Sequence, residues 1–246
     1  MSAVVIIEEQ NNGIVQITMR DKDNKNTFSE ALVNGLLDAF QKVEANTTYK
    51  VVLLTGYGPY FATGGTQESL LTLASGNGKF NDTNIYSLAL DCSLPVISAM
   101  QGHGIGGGFV MGLFADFVIL SKESIYTTNF MKYGFTPGFG ATYIVPKKLG
   151  PVLGHEMLLT AQTYRGDQLK ARGAPFPIFT RDRVLEEAYE LAEILAEKPR
   201  NSLVTLKEHL VSQLRLELGE VIEKELAMHE KTFHGSEVKE RIKNLF

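Results

Sequence analysis

Gly102-His103-Gly104-Ile105-Gly106-Gly107-Gly108 follows directly on an apolar run, residues 95–100, that reads as a strand. Phe109-Val110-Met111 come next. Consecutive glycines are poor helix formers. A helix that starts here therefore has a first turn of bare backbone, whose N–H groups another group can approach closely. A second cluster, Phe61-Ala62-Thr63-Gly64-Gly65-Thr66, follows an apolar strand at 51–55. Two strand-end glycine clusters in one domain can give two N–H donors to one oxygen atom, the geometry of an oxyanion hole. The run also spells Gly102-x-Gly104-x-x-Gly107, the dinucleotide-binding pattern. Two features speak against a nucleotide. Between Gly108 and the next strand at Phe117 there is room for only about two helical turns, and that strand ends in Ser121-Lys122 where a ribose would need an acid. A tight strand–helix turn with no ligand is the third reading.

Outward from the glycines, the chain alternates strand and helix. Residues 3–8 and 14–19 are β-rich and flank Asn11-Asn12-Gly13, a hairpin signature. Ser29 caps a helix to about residue 44, with Leu32, Val33, Leu36, Leu37, Phe40 and Val43 as its apolar stripe. A helix beginning at 69–73 is interrupted by Gly76-Asn77-Gly78 and resumes over 82–90. A short helix after the glycine run ends near Ala115, and strands follow at 117–120 and 125–127. Gly134-Phe135-Thr136-Pro137-Gly138-Phe139-Gly140 reads as a loop. Residues 181–198 form an amphipathic helix that Pro199 stops, and two further helices are expected at 203–214 and 221–233. This pattern predicts an α/β core with parallel pairing. The last third reads as helical, without a strand of its own to cover, and forms an arm against the core or a neighbouring subunit.

The 246 residues are enough for one sizeable core and an appendage. With 44% hydrophobic and 21% charged residues the chain reads as a folded soluble protein. A net charge of −4 gives no reason to expect nucleic acid or an anionic membrane as a partner. No stretch reads as a signal peptide or a membrane span, and Cys92, the single cysteine, forms no intramolecular disulfide. The cytoplasm is the expected location.

Five features in order resemble the crotonase (enoyl-CoA hydratase/isomerase) superfamily. They are Asn24-Lys25-Asn26-Thr27-Phe28-Ser29, the Gly64-Gly65 cluster, the Gly102 run, Gly134 to Gly140 with Ala141-Thr142, and the C-terminal helical arm. The resemblance implies a crotonase-like spiral of ββα units over residues 1–190. Residues 191–246 would be a C-terminal helical region for trimerisation and for part of the active site. It maps the oxyanion-hole amides to Gly65 and Gly107. Hydratases of this family use two glutamates, at positions that here are Val110 and Phe130. Neither side chain can activate or deliver water. The electron sink is kept and the water chemistry is gone, which suits loss of CO2 from a carboxylate conjugated to a thioester.

Gly64-Gly65-Thr66-Gln67-Glu68, Phe130 to Gly138 and Met228-His229-Glu230-Lys231-Thr232-Phe233-His234 resemble the decarboxylases of polyketide β-branching cassettes. That subgroup replaces the glutamates by a lysine and a histidine, at positions matching Lys79 and His229. The implied roles are a cation that positions the carboxylate and a proton donor, with His234 as the rival donor. The implied substrate is a 3-methylglutaconyl thioester on an acyl carrier protein, and the product a 3-methylcrotonyl-type thioester. Tyr86, His103, Phe130 and Val110 are further candidates to line the acyl site. The exposed-type acid Glu68 is a candidate near the hole, and Asp116 reads as a strand-start cap or ion-pair partner. The resemblance implies no metal and no resident cofactor, phosphopantetheine of the carrier or CoA being only the substrate's handle. The expected assembly is a homotrimer or a dimer of trimers. An isomerase or dehydratase of the same superfamily, and a non-catalytic subunit that only binds acyl carriers, remain alternative readings.

Overall fold

The computed structural model describes residues 3–246. Met1 and Ser2, part of the stretch read as lacking a leader, lie outside the described residues. The chain opens with β1 (Val5–Glu9) and β2 (Ile14–Met19), paired antiparallel across the expected Asn-Asn-Gly turn. Asn12 (φ 61°) and Gly13 (φ 80°) make that reversal in the left-handed region. The helix α1 (Glu30–Ala45) starts on Ser29, whose Oγ accepts the Leu32 N–H, and crosses to β3 (Val51–Thr55), parallel to β2.

A strand–strand–helix unit then repeats three times. Strand β3 leads into β4 (Tyr60–Ala62) and α2 (Gln67–Ala74). After the one-turn α3 (Leu88–Asp91) come β5 (Val96–Met100), β6 (His103–Ile105) and α4 (Gly107–Leu113). The third unit is β7 (Phe117–Ser121), β8 (Ile125–Thr127) and α5 (Ala141–Leu149). The first strand of each unit joins one sheet and the second joins another, each parallel to its counterpart. The chain thus winds forward one strand per sheet per turn, the expected ββα spiral. After α6 (Pro151–Thr160), β9 (Thr163–Arg165) closes the smaller sheet, order β4-β6-β8-β9. After α7 (Gly166–Ala171), β10 (Ile178–Phe179) closes the larger, order β1-β2-β3-β5-β7-β10.

The larger sheet is buried on both faces, which is why its central strands, VVLLT and VISAM, carry no charge. Val52 and Leu54 point into the main core. Val51 and Leu53 point the other way, under Val184, Ala188, Ala192 and Ala196 of α8 (Arg181–Ala196). The boundary written at residue 190 falls inside this helix. The chain ends with α9 (Arg200–Thr232) and α10 (Ser236–Leu245).

Four expectations need correction. The helix over 82–90 is only α3, because Ser87 Oγ bonds the Asn84 and Asp91 side chains at 2.8 and 2.6 Å and favours a local turn over helix. The two helices at 203–214 and 221–233 are one 33-residue helix. Gly219, the only weak helix former between them, lies in Arg-Leu-Glu-Leu-Gly-Glu, too short a lapse to break it. The last third does carry strand, since β10 pairs with β7. Both glycine clusters contain strands, β4 and β6, each too short at three residues for periodicity to show.

Candidate active site

The two glycine clusters meet. Helix α4 begins at Gly107, with Gly106 before it at φ 54°, ψ −126° and no side-chain cap. Its first N–H groups lack intrahelical acceptors, and the Gly107 N–H has no backbone acceptor among the described residues. Gly64 (φ +80°) lies against this point, where a methyl group on it would sit 3.4 Å from the Gly107 nitrogen and 3.0 Å from the Ile105 carbonyl oxygen. The next N–H, that of Gly65, likewise has no backbone acceptor among the described residues. Gly65 and Gly107 line one cleft of about 930 Å³.

The Asn24–Ser29 motif holds the Gly64 loop in place. Asn26 is fully buried, and its amide donates to the Met19 and Phe61 carbonyls at 3.0 and 2.8 Å. Its own carbonyl accepts the Thr63 N–H, and the Gly64 carbonyl accepts the Phe28 N–H at 2.7 Å. The glycine pair is therefore stitched to the end of β2 as well as to β6. Glycine at 108 is a packing requirement, since a Cβ there would lie 2.2 Å from the Ala62 carbonyl oxygen.

Aromatic rings line the rest of the cleft and reach the glycines, a methyl group on Gly107 falling 3.0 Å from Phe28 Cε2 and 3.6 Å from Phe139 Cδ1. Phe28, Phe80, Phe130, Tyr133, Phe135 and Phe139 all line the cleft. Phe28 and Phe139 stack at 5.7 Å, and Phe80 stands edge-on to Phe139 at 5.6 Å. Phe139 holds φ +64°, an uncommon conformation for a bulky residue. The next peptide is clamped by Glu225 of α9, which accepts the Gly140 N–H at 2.7 Å, the Thr142 N–H at 2.9 Å and the Thr142 hydroxyl at 2.6 Å. Burial holds the Glu225 carboxyl above the usual carboxylate range against these hydrogen bonds.

The sequence-predicted residues divide. Lys79 lines the cleft and is exposed. Glu68 and Asp82 line it too, Glu68 exposed near the glycine pair. Phe130, where a hydratase acid would stand, lines it and is 5% exposed. His229 does not line it. The imidazole is buried behind Phe80, with Nε2 2.9 Å from the Thr136 carbonyl oxygen, in a small cavity shared with Phe80, Tyr86, Gly138, Phe139 and Glu225. Burial lowers its pKa, partly offset by the backbone groups of Thr136 and Pro137. Tyr86 lies in that small cavity and not in the cleft.

Val110 and His103 are corrected as wall residues. Val110 points into the core from α4 and is fully buried. His103 is committed to the sheet, its Nδ1 accepting the Ile125 N–H at 3.1 Å. His234, the rival donor, faces Glu230 at 3.7 Å on the outer side of α9. Asp116 is an ion-pair partner as expected, 2.8 Å from the buried Lys207. The sequence reading does not reach most of the aromatic lining or Glu225. The density of phenylalanines between 130 and 139 was the available signal. Glu225, 85 residues from Gly140, gave none.

The chain's profile matches that of the enoyl-CoA hydratase/isomerase family over residues 9–245. It is 62% identical over 244 residues to the bacillaene synthase decarboxylase PksI of Bacillus subtilis (strain 168), covering 99% of this chain and 98% of that protein. A structure from a dehydratase/decarboxylase enzyme couple involved in polyketide β-branching superposes with a TM-score of 0.98, at 62% identity and 99% coverage of both chains. The ECH2 decarboxylase domain of CurF from Lyngbya majuscula gives 0.96, at 47% identity over all of both chains.

Proposed function

Because the chain belongs to the enoyl-CoA hydratase/isomerase family, we propose, from that premise and from its cleft, that it is a decarboxylase of polyketide β-branching. It acts on a 3-methylglutaconyl-type thioester carried on an acyl carrier protein. The observation that carries this reading is a cleft with two uncommitted amides, Gly65 and Gly107, and no carboxylate at Val110 or Phe130.

The thioester oxygen lies between the Gly65 and Gly107 N–H groups. The bond between the γ-carbon and the terminal carboxylate breaks, CO2 leaves, and the electron pair passes through the conjugated system to the thioester oxygen as a dienolate. Two fixed donors in a cleft walled by aromatic rings stabilise that charge as it develops. Lys79 holds the carboxylate before the bond breaks. A proton then adds to carbon and gives the 3-methylcrotonyl-type product, and His229 is its source. The scheme uses no metal and no resident cofactor. Association into trimers is supported by exposed apolar side chains on α6 and α9, among them Val152 (78% exposed), Leu210 (69%) and Leu216 (76%). Among the described residues no helix is long and apolar enough to cross a membrane; a cytoplasmic site of action is part of the proposal.

The test is incubation with 3-methylglutaconyl carrier protein, followed by the intact mass of the carrier. Loss of CO2 is expected, slowed by about 10²-fold or more in Lys79→Ala and by a similar factor in His229→Ala. Water loss or double-bond migration without CO2 loss would replace this reading with the isomerase or dehydratase one. If wild type turned nothing over and both variants matched it, the chain would be a non-catalytic carrier-binding subunit; variants that matched an active wild type would remove Lys79 and His229 from the mechanism.

A further inference from the structure

The proposed proton donor and the cleft it must serve are separated by one ring. Phe80 lines both the cleft and the small cavity that holds His229. Its ring centroid is 4.8 Å from the imidazole, 5.4 Å from Phe233 and 5.6 Å from Phe139. For His229 to reach a carbon atom in the cleft, one of these groups has to move.

All but one are fixed. His229 belongs to a 33-residue helix and is tied to the Thr136 carbonyl. Gly138 is packed beneath the imidazole so closely that a Cβ there would lie 2.6 Å from His229 Cε1. Phe139 is held by its stack on Phe28 and by the Glu225 clamp on the following peptide. Phe80 sits in a longer irregular segment, residues 75–87, which has no regular helix or strand. Gly76 (φ +83°) and Gly78 (φ +112°) lie just before it, Gly76 with open space where a side chain would be. Lys79 is its immediate neighbour. One turn carries both residues, closed by the Lys79 N–H on the Asp82 carboxylate at 2.7 Å and the Asp82 N–H on the Lys79 carbonyl at 3.2 Å. Lys79 faces the cleft while Phe80 covers His229, so neither can shift far without the other.

We infer that Phe80 is a substrate-coupled gate: a carboxylate drawn to Lys79 shifts the turn, withdraws the Phe80 ring and exposes His229 to the cleft. The inference rests on the roles proposed above for Lys79 and His229. The empty site keeps its histidine covered, and only a substrate that carries the group to be lost presents the donor. Loop motion takes nanoseconds to microseconds or longer, so the gate is still open when a dienolate in contact with the imidazole takes its proton. Phe80 is thus a positioning residue and takes no part in bond making.

The chain contains no tryptophan, so Phe80→Trp places its only indole on the gate. Two probes separate carboxylate recognition from simple filling of the cleft. The 3-methylglutaryl thioester of pantetheine keeps the carboxylate but lacks the double bond through which CO2 is lost. The 3-methylbutyryl thioester has no carboxylate. The indole emission is expected to shift with the first probe and not the second, and to stay unchanged in the Phe80→Trp/Lys79→Ala double variant. Equal shifts with both probes, or a shift that survives loss of Lys79, would overturn the coupling.

An indole is larger than the ring it replaces, so a second measurement uses Phe80→Ala without ligand. Modification of His229 by diethylpyrocarbonate, resolved from the other four of the five histidines by peptide mass, is expected to be roughly fivefold or more faster than in wild type, from loss of one aromatic contact. An equal rate would overturn the shielding. Failure of the decarboxylase reading is seen separately, as wild type that releases no CO2 from the 3-methylglutaconyl thioester. Failure of the gate leaves CO2 release intact while the emission shift is absent, equal with both probes or independent of Lys79, or the modification rate is unchanged by Phe80→Ala.

Discussion

The two sides of the cleft are built in different ways. The glycine side is made of backbone. Its donors, Gly65 and Gly107, stand just beyond the ends of β4 and β6, parallel neighbours in one sheet, and hydrogen bonds of Asn26 and Phe28 with Phe61, Thr63 and Gly64 lock the Gly64 loop. The histidine side is made of side chains brought from far apart. His229 and Glu225 come from α9, Phe139 from the loop before α5, and Phe80 from an irregular segment between α2 and α3. Donors anchored just past paired strands cannot drift far without disturbing the sheet. Side chains that meet across 85 or more residues can be displaced one at a time. A site with a rigid electron sink and a proton source whose cover can move follows from that division.

The strongest way to break the contrast is Gly108→Ala. The added methyl would lie 2.2 Å from the Ala62 carbonyl oxygen and 2.4 Å from its carbon, both backbone atoms that no rotamer change can move. Strand β4 and helix α4 must separate, and the two donors with them. A loss on the order of 3–5 kcal/mol is expected in urea unfolding, with CO2 release abolished. A folded, active Gly108→Ala protein would show that the glycine side is as adjustable as the other.

Lys207 shows whether the two sides stand on one foundation. It is 3% exposed, and its ammonium donates to the Ala89 and Leu94 carbonyls, each at 2.8 Å, while pairing with Asp116 at 2.8 Å. Asp116 in turn accepts the Val96 N–H at the start of β5. The lysine thus bolts α9, which carries His229, to the strand that leads into the glycine run. Lys207→Ala leaves a part-buried carboxylate and two carbonyls without this partner, at a cost of about 3 kcal/mol. Denaturation should remain a single transition. Two separate transitions would mean the sides fold independently.

Glu225 acts on the histidine side alone. Glu225→Ala strands the Gly140 and Thr142 N–H groups, a loss of about 1–3 kcal/mol, and frees the strained Phe139 backbone. Glu225→Gln keeps an acceptor and is expected to recover roughly half of that loss. If the contrast holds, Glu225→Ala lowers kcat for CO2 release and leaves KM for the thioester within about twofold, because Gly65 and Gly107 are undisturbed. A rise in KM alone would place the clamp's effect on the glycine side.

The sequence made the glycine side legible and left most of the histidine side hidden, for one physical reason. Gly64 and Gly108 are glycines because backbone meets backbone there, and such close approach leaves a mark in local composition. His229 was visible as a residue on a helical apolar face, yet nothing local said that Phe80 would cover it or that Gly138 would be packed beneath it. Those contacts arise when α9 docks, and α9 itself was read as two helices. Periodicity found the long strands of the larger sheet, buried on both faces, and overlooked β4 and β6, whose three residues span barely one alternation.

Each side carries one histidine partly or wholly withdrawn from water, half-buried His103 and buried His229, and the smallest effect compares them. Burial lowers the pKa of His103 in β6, with the Arg181 charge adding to it, and burial lowers that of His229 despite its backbone partners. In the unfolded chain both titrate near about 6.5. As pH falls through that value the unfolded chain takes up these protons before the folded one does. The stability they contribute is therefore present above about pH 7 and is lost as pH falls through about 6.5 toward their depressed folded values. Glu225 works in the opposite sense, because its carboxyl is raised: acidification favours the folded state from that raised value down toward the usual carboxylate range. The urea midpoint is expected to drop between pH 7.5 and pH 6, and His229→Asn should remove part of that drop. His103→Asn, whose side-chain oxygen can still accept the Ile125 N–H, should remove another part. A drop unchanged by either substitution would mean the titrating groups lie elsewhere. Unequal parts would rank the two sides by how far each keeps water from its histidine.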